Sequence, residues 1–129
     1  MTRRSFLLGF LGLSLFIAVF LRLGIYFSLD WTTEWFDIVL HFAGGVWVAA
    51  ITFIFFSFQN YSWSAISGAL LPSILAVIFL VGFSWEWFEL SRGYVLATAK
   101  GYYLDTLLDI IFDTVGAVVA YLLFTRFIK

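Results

Sequence analysis

The chain has no cysteine, one proline, one histidine and few charges. The missing cysteine removes disulfides, thiolate ligands and reactive thiols from any account of its chemistry. It leaves the redox compartment open. Charged residues make up 12% of 129 positions against 64% hydrophobic, with a mean hydropathy of +1.05, and this excludes a soluble domain of that size. With Pro72 as its one proline and no low-complexity stretch, the sequence offers neither a flexible linker nor a second domain. It reads as a single integral membrane domain over residues 1–129.

What is present is four apolar runs, at roughly 6–27, 35–58, 65–90 and 103–128. Each is near the ~20 residues a helix needs to cross ~30 Å of hydrocarbon at 1.5 Å per residue. Helices are required, because an open strand edge in lipid leaves backbone groups unpaired. The expected fold is all-α: a compact bundle of four transmembrane helices, with a kink near Pro72 in the third. Arg3 and Arg4 precede the first run and Arg126 and Lys129 close the last, so the positive-inside rule predicts two cytoplasmic termini. Thr2-Arg3-Arg4-Ser5-Phe6-Leu7-Leu8 looks like a twin-arginine export signal, but no small-x-small cleavage site follows it. The segment is read as a first helix that stays.

This topology collects every acid at one end. Asp30 and Glu34 fall in the first connection; Asp37, Glu86, Glu89, Asp105, Asp109 and Asp113 fall at or inside helix ends, with His41 one turn below Asp37. That end is predicted to be extracytoplasmic. Tyr26, Trp31, Trp35, Trp85, Trp87, Tyr94, Tyr102 and Tyr103 mark its interface, and Tyr61 and Trp63 the opposite one. A carboxylate at membrane depth costs several kcal/mol unless it is paired, hydrated or bound to a metal.

The spacing within the cluster is helical. Asp37 and His41 are four apart, Glu86 and Glu89 three apart, and Asp105, Asp109 and Asp113 four apart each, so each set lies on one face of its helix. The same faces carry small residues: Gly44, Gly45 and Ala49 after His41, Gly82 before Glu86, and Gly116, Ala117 and Ala120 after Asp113. Small residues let membrane helices approach closely, so these faces are expected to converge inward. His41, Glu86 and Asp109 should lie about 5–8 Å inside the helix ends, and Asp113 about 6 Å deeper.

Carboxylates with one imidazole and no thiolate suit a divalent ion: Zn²⁺, Mn²⁺, Fe²⁺, Mg²⁺ or Ca²⁺. The expected ligand set is His41, Glu86, Glu89, Asp109, Asp113, Asp37 and Asp105. Plainer roles compete. Asp37 and Asp105 also suit helix N-terminal positions, where the dipole favours a carboxylate. Arg22 either snorkels outward or counters the acids. Arg92 either meets lipid headgroups or binds a substrate phosphate or carboxylate.

Phe36-Asp37-Ile38-Val39-Leu40-His41-Phe42 resembles the Asp-Lys-x-x-His-Phe segment of VanZ-like membrane proteins. Glu86-Trp87-Phe88-Glu89 sits where those proteins carry Glu-x-x-Gln, with Arg92 following, and Asp109-Ile110-Ile111-Phe112-Asp113-Thr114-Val115-Gly116-Ala117 is similar to their Asp-x-x-x-Asn-x-x-Gly-Ala ending. The Asp/His and Asp-Gly-Ala features also resemble YjdF-type inner-membrane proteins, the likeness running from about residue 36 to 122. It implies a small polytopic protein of the bacterial inner membrane; VanZ-like members are linked to low-level glycopeptide resistance. Here Glu89 and Asp113 replace amides of that pattern, and the lysine after the aspartate is missing. The two added charges favour cation binding.

Three functions follow. The first is metal-dependent chemistry or binding on lipid-linked or envelope substrates, the metal acting as Lewis acid or activating water. The second is a carrier or channel for cations or protons. The third is a structural or accessory subunit. Membrane lipids are the expected partners, and nucleic acid is not.

Overall fold

The computed structural model describes residues 3–29, 33–57, 63–93, 96–98 and 100–127. They form α1 (Arg3–Phe27), α2 (Glu34–Ser57), α3 (Trp63–Arg92) and α4 (Tyr102–Phe127). All four are long and apolar enough to cross a membrane, and no strand occurs among the described residues. The fold is the all-helical one the apolar runs dictate. α3 continues through Pro72 as one helix of 30 residues, so the proline does not divide the span. Asp30, Trp31, Tyr61, Tyr94 and Lys129 lie outside the described residues.

Local chemistry sets the helix ends. The Phe36 N–H donates to the Thr33 carbonyl (2.9 Å) as α2 begins, and the Leu104 and Asp105 N–H groups both donate to the Gly101 carbonyl (3.0 Å each) as α4 begins. Gly93, just past α3, and Gly101, just before α4, have φ of 72° and 95°, a region that L side chains enter only with strain. Glycine therefore brackets the connection that turns the chain back into the bundle.

α2 and α4 form the closest pair, α3 covers both, and α1 packs along α2. Short connections make successive helices antiparallel, so α2 and α4 run the same way and both begin at the acid-bearing end. They are also in register: Gly45 and Asp113 are each the twelfth residue of their helix and face each other. A Cβ on Gly45 would fall on the Asp113 carbonyl, and one on Gly116 on the Phe42 carbonyl. The two backbones touch here, and only glycine leaves room. Below this crossing Val48, Ala49, Leu70, Ile74, Ile78, Ala117 and Ala120 close into a fully buried apolar core.

α1 is lipid-facing over most of its surface but is held at three levels. Phe20 stacks on the buried Phe36 ring (centroids 4.3 Å apart), which also lies over Gly24. Midway, the Trp47 indole N–H donates to Ser14 Oγ at 2.8 Å, and the Ser14 hydroxyl donates to the Phe10 carbonyl at 2.8 Å. At the far end Phe6 meets Phe53 and Phe124. Phe36 thus ties α1 to the start of α2, one residue before Asp37.

Orientation rests on the lysine and arginine distribution. A reporter fused at the C-terminus should behave as cytoplasmic and one inserted beside Lys100 as extracytoplasmic. The opposite pattern would turn the acid-bearing end toward the cytoplasm.

Candidate functional site

His41 is the eighth residue of α2 and Asp109 the eighth of α4. In two parallel helices that register puts them at equal depth, about 10 Å from the helix starts at 1.5 Å per residue. The glycine crossing then brings their faces together. His41 Nε2 lies 3.4 Å from Asp109 Oδ1 and 3.6 Å from Asp37 Oδ1, while Nδ1, on the opposite edge of the ring, lies 3.4 Å from Asp113 Oδ1. Asp37 and Asp109 also approach each other within hydrogen-bonding reach. Both helices begin at this end, so the positive end of the dipole favours the carboxylate of Asp37, the fourth residue of α2, more than those of Asp109 and Asp113, two and three turns in.

The imidazole is mostly buried, its side chain 19% exposed; Asp109 and Asp113 are at 16%, and Asp37 at 36% is the open side. Three partly buried carboxylates around one imidazole require compensating protons or a cation. Asp37, His41 and Asp109 each offer a donor atom within 4.8 Å of the others, a grouping that could hold one ion. Asp113 faces the other ring edge.

The remaining acids are arranged differently. Glu86 accepts a 2.7 Å hydrogen bond from the Tyr102 hydroxyl, which joins the end of α3 to the start of α4. Glu89 is half-buried, close enough to Glu86, His41 and Asp37 to feel their charges, and Trp85 lies within hydrogen-bonding reach of it. Asp105, in the first turn of α4, is exposed but near Asp37, Glu86 and His41. These three form an outer ring and do not join the Asp37–His41–Asp109 group. Arg92 is exposed in the last turn of α3, where a cation suits the C-terminal end of the dipole. Arg22 is exposed on α1, and among the described residues neither arginine forms an ion pair.

Tyr102 was legible only as an interfacial aromatic. Its spacing carried more: positions 102, 109 and 113 recur at helical intervals, so its side chain shares the acid face of α4.

Residues 4–129 match the family described as predicted membrane protein (DUF2238), and the chain belongs to that family. Comparison with curated proteins and with solved structures gave no match.

Proposed function

We propose that the protein holds one divalent ion between Asp37, His41 Nε2 and Asp109, at the extracytoplasmic end of a bundle in the bacterial inner membrane. The ion acts there on lipid-linked or envelope substrates. The spacing of the donor atoms carries this reading. The Nε2–Asp109 and Nε2–Asp37 separations are 3.4 and 3.6 Å. They are close to the donor–donor edge of a tetrahedral site, about 3.3–3.4 Å for metal–ligand bonds of about 2.0–2.1 Å.

One imidazole with two carboxylates suits Zn²⁺, Mn²⁺ or Fe²⁺ better than Mg²⁺ or Ca²⁺, which prefer oxygen alone. Three protein ligands leave coordination positions open, the pattern of sites that polarise a substrate oxygen or activate water. Exposed aromatics at the same end, Trp35, Trp85, Trp87 and Tyr103, suit a site at headgroup level. Arg92 there would meet an anionic group of the substrate.

Conduction is the competing function, and the packing beneath the site weighs against it. Leu70, Ile74 and Ala117 are fully buried and Ala120 nearly so, below Asp113, and Thr52, the buried polar side chain among the described residues at that depth, donates its hydroxyl to the Val48 carbonyl of its own helix. Reconstituted into sealed vesicles, the protein should bind added Zn²⁺ or Mn²⁺ without delivering it to a dye trapped inside. Sustained protein-dependent influx, abolished by His41→Ala, would replace this reading with transport.

A further inference from the structure

We infer that Asp113 is a positioning residue, setting which nitrogen of His41 faces the ion without binding the ion itself. The inference rests on the metal reading above and concerns the opposite edge of the same ring. The two nitrogens of an imidazole point away from each other, so an ion on Nε2 is out of coordinating reach of a carboxylate on Nδ1. Two carboxylates, Asp37 and Asp109, lie on the Nε2 edge, and one, Asp113, on the Nδ1 edge. The edge with more donors holds the ion, and the other keeps the ring proton. An N–H donated to a carboxylate on the far edge fixes tautomer and ring orientation and makes the ligating nitrogen more basic.

Asp113 is placed for that part by the backbone. Its carbonyl packs against the Cα of Gly45, and its Oδ1 would stand 3.4 Å from a Cβ on Gly44. The glycine pair on α2 thus forms a seat for residue 113, and the carboxylate leaves it toward Nδ1.

His41 is the only histidine, so isotope labelling of histidine nitrogens reports this one ring. The full chain in detergent, loaded with a spin-half cadmium isotope, should show metal coupling to Nε2 and a slowly exchanging proton on Nδ1. Asp113→Asn should still bind one cadmium per chain through Nε2, with affinity lowered about 10–100-fold and faster exchange of the Nδ1 proton. Asp113→Leu, with no acceptor, should lose the slow Nδ1 proton altogether. Asp109→Asn should lose stoichiometric binding while the Nδ1 proton still exchanges slowly. Coupling to Nδ1 in the wild type would overturn the inference and leave the metal reading standing. So would Asp113→Asn losing metal as completely as Asp109→Asn while remaining folded. A wild type that takes up no cadmium, zinc or manganese would remove the metal reading itself.

Discussion

Gly45→Ala and Gly116→Ala should each destabilise the protein strongly and separate His41 from Asp113. Alanine in place of glycine favours a helix by about 1 kcal/mol, so in isolation either change should help. Here the new methyl group lands on a main-chain carbonyl, Asp113's for Gly45 and Phe42's for Gly116. No rotamer change relieves a clash with backbone, so α2 and α4 must move apart. Overpacking in a tight interior typically costs about 1–3 kcal/mol and outweighs the helix preference. The site lies within one turn of the crossing, so its ring contacts should open with it. Gly9→Ala and Gly12→Ala are the controls, since a Cβ at either meets nothing within 4 Å. They should be neutral or stabilising by up to about 1 kcal/mol. Thermal unfolding of the four variants in one detergent reads the difference. A Gly45→Ala protein as stable as Gly12→Ala would show that the two helices do not touch as described.

His41→Ala and Asp109→Asn should abolish stabilisation by metal. An ion that binds only the folded state stabilises it by about 2.7 kcal/mol when present at a hundred times its dissociation constant. The wild type, stripped with chelator and given back Zn²⁺ or Mn²⁺, should recover that amount as a rise in melting temperature. The two variants should recover almost none. Asp30→Asn and Glu34→Gln, which the sequence places in or beside the first connection, should respond as the wild type does, because neither is among the three proposed ligands. Equal loss across the site and connection variants would mean that the acids act as a diffuse electrostatic patch rather than as a convergent site.

Much of this arrangement was legible in the sequence. Span length and apolarity dictate helices in lipid, and the four runs match the four helices to within a few residues. The four-residue spacings of Asp37 with His41 and of Asp109 with Asp113 placed each pair on one face, and these faces meet. Spacing fixes which residues share a face, but not how far one helix is rotated or slid against the next. For α2 and α4 that is decided by the contact of Gly45 and Gly116 with the opposing carbonyls. It is why Asp113 faces Nδ1 while Asp37 and Asp109 face Nε2. For α3 and α4 the Tyr102–Glu86 hydrogen bond does the same, taking Glu86 toward the outer ring. An acid-rich face looks alike in sequence whether its members surround one atom or several.

The central claim, an ion shared by Asp37, His41 and Asp109, is tested most directly by elemental analysis of the detergent-purified protein at neutral pH without chelators. The wild type should carry about one divalent transition-metal ion per chain, as three donors form one site, and His41→Ala purified alongside should carry almost none. A metal-free wild type that stays empty after incubation with Zn²⁺, Mn²⁺ and Fe²⁺ would contradict the account, leaving protons as the charge that holds these carboxylates together.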